Sequence, residues 1–232
     1  MRISSIDIGS NAVRQLIVEI HPETGSWVVL KKYRESIRIG TDVFKSGEVS
    51  KATLIRLIGC LKNMSSLAKA FKADQSLAYG TSALRDAKNK KFILSAAKKN
   101  SSLQIKIISG QEEAKLIRLA VQKSLPQLSQ NYLLIDIGGG SVELTQMNHS
   151  KVIYSKSFKW GMVRTLLETE AKKVSYEKLI ESRIKNLAQL MPVKTQFNIA
   201  VGSGGNLDAL AKLKIQVLKK TPNTFITITE LQ

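Results

Sequence analysis

Two stretches of this chain, ISSIDIGSNAVRQL at residues 3–16 and LLIDIGGGSVEL at 133–144, share one pattern. Each is an apolar run that ends in Asp-Ile-Gly, passes through small polar residues and returns as a second apolar run. The first reads as a strand from Ile3 to Ile8, a turn at Gly9-Ser10-Asn11 and a strand from Val13 to Ile20. The second reads as the strand YLLIDI, the turn GGGS and the strand VELTQM. The segments after each unit also match: a hairpin turn (HPETG, then NHSK), a third strand (WVVLKKYRESIRI, then VIYSKSF), and then helix, strand and helix. Such a chain is a duplicated α/β unit, each half burying a mixed sheet against its helices, with both glycine turns opening into the cleft between them. The expected lobes are residues 1–125 and 126–232.

The helices are legible from their periodicity. From Ser50, residues Leu54, Leu57, Ile58, Leu61, Leu67, Ala68 and Phe71 keep one face apolar. A short strand, Ser76 to Tyr79, leads into a small-residue turn within GTSALRDAKN, and Lys91 to Lys99 reads as helix. LQIKIISG is a strand, and GQEEAKLIRLAVQKSL is a helix stopped near Pro126. In the second half, Val163–Thr169 and Tyr176–Met191 read as helices. FNIAVGSGGN then runs as a strand into a third glycine turn, ahead of a helix at Leu207–Leu213. Both histidines, His21 and His149, fall in the equivalent hairpin turn of each half, which assigns them to turns and not to catalysis.

Composition excludes several classes. No apolar run approaches the ~18 residues of a membrane span, and MRISSIDIGS enters a strand pattern directly, without a secretory signal. One cysteine and two histidines leave no disulfide framework and no Cys/His zinc site, and Cys60 falls among apolar helix positions as core filler. The expectation is a cytoplasmic protein. A net charge of +18, spread in pairs such as Lys31-Lys32 and Lys219-Lys220, favours a polyanionic partner. Specific nucleic-acid binding is not expected, because aromatics are only 6% and no zinc-finger, RNP or basic-zipper pattern is present. A phosphate-rich small molecule or polymer fits the charge equally well.

The turns carry the candidate chemistry. Glycine leaves backbone N–H groups uncovered for a phosphate, and Ser10, Asn11 and Ser141 add side-chain donors to Gly9, Gly138, Gly139 and Gly140. Three consecutive glycines are more than a tight turn demands. Asp7 and Asp136, at the strand ends, are placed to hold magnesium directly or through water, and Glu143 shares a strand face with Ser141 and would support the metal. Ser109 and Glu112 have capping-box spacing, which commits Glu112 to the helix start. Glu113 stands about 100° further round that turn. It is either a base facing the cleft or a solvated glutamate favoured by the helix dipole. Arg85 is either a phosphate clamp or an ordinary surface arginine. Gly204, in GSGGN ahead of a helix, is a further anion seat.

With these residues in view, the chain resembles the Ppx/GppA family of exopolyphosphatases and guanosine pentaphosphate phosphohydrolases. That family belongs to the actin-like (ribonuclease H-like) superfamily of sugar kinases and chaperone ATPases. The resemblance rests on IDIGSNAVRQLIV, YGTSALRDAKN, IISGQEEAKLI, LLIDIGGGSVEL, KWGMVRTLLE and AVGSGGNLDALAKL, in order and across essentially the whole chain. It implies duplicated actin-like lobes around an interlobe cleft, with Glu113 as catalytic base, Arg85 as phosphate clamp and Asp136 and Glu143 as metal carboxylates. It implies phosphate donors at Gly138 to Ser141, and a first loop of Asp7, Gly9, Ser10 and Asn11. It implies magnesium-assisted removal of a terminal phosphate from polyphosphate or pppGpp, for which the basic surface would serve as a track. A non-catalytic (p)ppGpp or polyphosphate binder and an ATP-using kinase or ATPase are the alternatives. Two departures stand out: Ala12 replaces a usual serine, and the family continues beyond TFITITELQ. A truncated second lobe is therefore expected, and the core it exposes would favour association, a homodimer included.

Overall fold

The computed structural model describes residues 1–125, 131–149, 151–190, 197, 199–222 and 226–227. The first sheet opens with a meander of β1 (Arg2–Ile8), β2 (Val13–Ile20) and β3 (Trp27–Glu35), all antiparallel. β4 (Gln75–Gly80) and β5 (Ile105–Ile107) then join parallel to β1, giving the order β3-β2-β1-β4-β5. Strand alternation sorts the two faces: Ser4, Ile6 and Ile8 are buried under helices, whereas Ser5 and Asp7 face the cleft. α2 (Lys51–Ala70), capped by the Ser50 side chain, covers the buried face together with α4 (Lys90–Ser101). Ile6, Ile8, Leu57, Leu61, Met64 and Ile93 form the centre of that core. Cys60 is buried there with its thiol pushed up to about 12 by desolvation, so it is inert.

The second sheet repeats the scheme. β6 (Tyr132–Ile137), β7 (Val142–Asn148) and β8 (Lys151–Phe158) are antiparallel, and β9 (Ile199–Ser203) lies parallel to β6 in the order β8-β7-β6-β9. α6 (Met162–Lys172), α7 (Tyr176–Leu190) and α8 (Gly205–Leu213) complete this half, the last continued by a π-helical turn, Lys214–Leu218. α5 (Gly110–Ser124) follows β5 in the chain yet packs on β7 and β8, and its Val121 joins Tyr132, Leu134 and Met147 in the second core. The sequence division at residue 125 places this helix with the first half, whereas its packing is with the second sheet.

Two expectations need correction. The third strand ends at Glu35 rather than running on to Ile39, and α1 (Ile39–Ser46) begins there instead. The cause is the first glycine turn, whose carbonyls draw the chain across: Arg38 N–H donates to Asn11 O (2.9 Å) and Gly40 N–H to Ser10 O (2.7 Å). The turn expected within GTSALRDAKN is a short helix, α3 (Ser82–Asp86). Pro126, Met191 and most of TFITITELQ lie outside the described residues. No helix among the described residues is long and apolar enough to cross a membrane.

Candidate active site

The repeated Asp-Ile-Gly turns are built alike. Gly9 N–H closes the first on Ala12 O (3.1 Å), and Gly138 N–H closes the second on Ser141 O (3.0 Å). In both lobes the helix after the third strand then takes the turn's outward carbonyls. Arg38 and Gly40, at the start of α1, bind Asn11 O and Ser10 O; Met162 and Val163, at the start of α6, bind Gly138 O (3.0 Å) and Gly139 O (2.9 Å). With those carbonyls engaged on one side, the amides of Ser10, Asn11, Gly139 and Gly140 keep no protein acceptor among the described residues. The amides of Gly9 and Gly138, expected to serve a phosphate, are spent on closing the turns.

The two turns meet across the lobes and line one cavity of about 880 Å³. A Cβ on Gly139 would stand 3.1 Å from Ser10 Cβ, and one on Gly140 only 2.7 Å from Ser10 Oγ and 2.4 Å from Ser82 Oγ. A side chain at Gly140 would displace Ser82, Phe44 and Ser10 of the first lobe, and one at Gly139 would crowd Ser10. Ser10 Oγ is buried without a partner, a hydroxyl free for a ligand in the cavity.

Three carboxylates cluster at the same place, Glu113 and Asp136 in the cavity wall and Glu143 buried behind them. Glu113, Asp136 and Glu143 each bring an oxygen within 4.8 Å of the others. Glu112 and Ser109 form the expected capping box, with Ser109 N–H donating to Glu112 Oε2 (2.8 Å) and Glu112 N–H to Ser109 Oγ (3.1 Å). That fixes the first turn of α5 and directs Glu113 to the cavity wall. Desolvation, the neighbouring Glu143, and Asp7 and Asp136 more weakly, push the Glu113 carboxyl up to about 8, against the pull of Arg85. Glu113 Oε2 is buried with no hydrogen bond, since Arg85 Nη1 at 3.6 Å is an ion pair too long to be one. Glu143 is buried, receives a hydrogen bond from Ser157 Oγ–H at 2.6 Å, and leaves Oε2 orphaned. Its carboxyl too is raised by desolvation, opposed by the hydroxyls of Ser157 and Ser141. Asp136 receives a short bond from Ser203 Oγ–H.

The remaining expected residues fall around this centre. Asp7 lines the cavity but is not one of the three clustered carboxylates; Arg14 Nη1 donates to its Oδ2 at 3.1 Å. Arg85 is not among the cavity-lining residues. It flanks Glu113 and donates to Ile108 O (2.6 Å), so it stands as a partner of the glutamate. Gly204 lines the cavity with φ at 97°, a conformation that favours glycine, and Asn206 Nδ2 donates to Ile137 O (3.1 Å) beside it.

Sequence reasoning missed Arg14, Arg164 and the serines 157 and 203. Arg14 had a signal: counting outward from a turn at residues 9–12 pairs it with Asp7, as the register shows. Arg164 had none. From α6 it donates to Gly140 O (2.9 Å) and to Asp86 Oδ2 of α3 (2.7 Å), and lies 3.8 Å over the Phe44 ring of α1.

Residues 16–231 match the model of the Ppx/GppA phosphatase family. Exopolyphosphatase 1 of Mycobacterium tuberculosis is 30% identical over 145 residues, 62% of this chain and 42% of that protein. The match thus spans 42% of the length of the curated mycobacterial exopolyphosphatases. The crystal structure of the Aquifex aeolicus Ppx/GppA family member matches with a TM-score of 0.76 at 29% identity, over 97% of this chain and 72% of that one. An exopolyphosphatase structure from Cytophaga hutchinsonii gives 0.77 at 24% identity, over 96% and 72%, and speaks for the fold alone. The duplicated actin-like lobes expected from the sequence are the observed architecture.

Proposed function

This chain belongs to the Ppx/GppA phosphatase family, and on that premise we propose that it hydrolyses the terminal phosphoanhydride bond of a linear polyphosphate, with pppGpp as the second substrate to test. The observation that carries this reading is the convergence of Glu113, Asp136 and Glu143 beside two facing amide-lined turns in one cavity. The terminal phosphate would lie between the turns, its oxygens taken by the free amides of Ser10, Asn11, Gly139 and Gly140.

Water oxygen forms the new bond to phosphorus as the bridging P–O bond breaks in line with it. The water proton passes to Glu113 in its ionised form, which Arg85 and a bound cation would favour against the burial that raises its pKa, and the electron pair of the broken bond leaves on the shortened chain. Arg85 positions the Glu113 carboxylate and favours its ionised form. Two orphaned carboxylate oxygens, on Glu113 and Glu143, fit a hard divalent cation, which Asp136 and Glu143 would hold with Glu113 adjacent. When bound, magnesium would offset the negative charge gathered on the phosphate oxygens.

The test is phosphate release from long-chain polyphosphate and from pppGpp, with magnesium, by the wild type and Glu113→Gln side by side. Release should fall by about 10²- to 10⁴-fold in the variant. A variant with near wild-type turnover would remove Glu113 from the chemistry. Binding without release by the wild type would mark a binding module instead.

A further inference from the structure

The duplicated lobes carry equivalent rows of side chains across their sheets, and the two rows differ in chemistry. In the first sheet, Arg34, Arg14, Asp7 and Tyr79 stand in register on β3, β2, β1 and β4, and Arg14 offsets Asp7 at 3.1 Å. In the second sheet the same places on β8, β7, β6 and β9 hold Ser157, Glu143, Asp136 and Ser203. Two acids now lie directly opposite on neighbouring strands, where like charges repel, and the row contains no cation. Instead a hydroxyl brackets the pair on either side. Ser157 Oγ–H donates to Glu143 Oε1 (2.6 Å), and Ser203 Oγ–H donates to Asp136 Oδ1.

Those bonds occupy one oxygen of each carboxylate, and backbone crowds the same side. A Cβ on Gly110, the first residue of α5, would stand 2.3 Å from Ser157 Oγ and 3.7 Å from Glu143 Oε1, and one on Gly204 would stand 3.1 Å from Asp136 Oδ1. The other oxygens remain free. Glu143 is only 3% exposed and its Oε2 has no partner, and among the described residues no hydrogen bond reaches Asp136 Oδ2. Each acid of the row therefore offers a cation a single oxygen, with Glu113 beside them as the third carboxylate. That restriction decides between hard cations. Calcium takes roughly six to eight oxygens at about 2.3–2.6 Å and accepts both oxygens of one carboxylate. Magnesium demands an octahedron at about 2.0–2.1 Å, met by one or two carboxylates and several waters. We propose that Ser157 and Ser203, by holding Glu143 and Asp136 to one oxygen each, set this cluster for magnesium over calcium. The selectivity rests on the proposed function, whose cation it specifies.

The probe is manganese(II), which shares the oxygen ligands of both ions and whose free form is read by electron paramagnetic resonance. The full chain is loaded with it at fixed ionic strength, without phosphate ligands, and the bound ion is displaced by magnesium or by calcium. The proteins compared are the wild type, Ser157→Ala, Ser203→Ala, Ser203→Thr and Glu143→Gln. The wild type should bind magnesium the more tightly. Each alanine variant should lower the ratio of magnesium to calcium affinity by about tenfold, the scale on which a hydrogen-bonding partner behind a ligand tunes a metal site. Ser203→Thr retains the hydroxyl and should keep the wild-type ratio, and Glu143→Gln should lose manganese binding. Partial unfolding weakens both ions together, so the ratio separates selectivity from stability. Alanine variants that weaken both ions equally, or neither, would overturn the proposal while leaving the cation and the hydrolytic reading in place. A wild type that binds calcium the more tightly would do the same. Manganese binding that survives Glu143→Gln, or none in the wild type, would remove the cation from this cluster and the selectivity with it. Phosphate release by the wild type tests hydrolysis separately from all of these outcomes.

Discussion

At the residue scale, Glu113 illustrates how little a local pattern says about a carboxylate's working state. Its neighbour Glu112, one position back, is exposed and held below its ordinary value by the Ser109 amide and hydroxyl. Glu113 faces the cavity and is raised from 4.5 to about 8 by desolvation and by Glu143. Between those two values the unfolded chain has released a proton that the folded chain keeps, so the folded state loses stability as pH rises through that window. Glu113→Gln cannot carry that penalty. In magnesium-free buffer its melting temperature should gain on the wild type between about pH 5 and about pH 8, and the two should converge at the acid end. Parallel melting profiles would mean that Glu113 ionises near its ordinary value.

At the element scale, the decisive feature is the bond between each glycine turn and the helix behind it. Gly161, the residue before α6, shows how tight that seam is. A Cβ there would stand 2.3 Å from Gly140 N and 2.4 Å from Ser141 N, both backbone atoms that have no rotamer to escape into. Gly161→Ala should therefore push α6 off the second turn. The expected cost is about 1–3 kcal/mol of stability, the usual range for overpacking, read by urea unfolding, with weaker tripolyphosphate binding alongside. At the other end of the site, Ser109→Ala removes the cap that fixes the first turn of α5, for about 1 kcal/mol. Because Glu113 lies in that turn, phosphate release should fall further than the stability loss explains, with kcat carrying the change. A variant with unaltered kcat would separate the cap from the site.

At the scale of the whole molecule, Arg164 is a polar link between the lobes among the described residues. It joins Gly140 O of the second lobe to Asp86, Ser82 and Phe44 of the first. Desolvation pushes the Asp86 carboxyl up, yet Arg164 and Lys159 hold it below its ordinary value. Arg164→Ala should cost about 2 kcal/mol, the worth of a charge-assisted hydrogen bond left unmade. It should also make melting acquire a second phase as the lobes lose their coupling. A single transition at the wild-type temperature would show that the seam holds without this residue.

The duplication, the strand–turn–strand units, the capping box and the glycine turns were all legible in the sequence, because each depends on residues adjacent in the chain. Period-two alternation set Ser5 and Asp7 against Ile6 and Ile8, and Ser109-x-x-Glu112 placed the helix start, with no need of partners elsewhere. What the chain alone did not determine were the pairings across it. Asp7, expected to hold magnesium beside Asp136, is ion-paired with Arg14; Glu113, read as a base or a solvated glutamate, is the carboxylate that comes together with Asp136 and Glu143. The end of β3 at Glu35 and the existence of α1 follow from carbonyls of a turn 25 or more residues earlier, which no local propensity records. Such choices are made when two lobes close on each other. An unpaired buried carbonyl or charge costs more there than any intrinsic preference of the segment that must satisfy it.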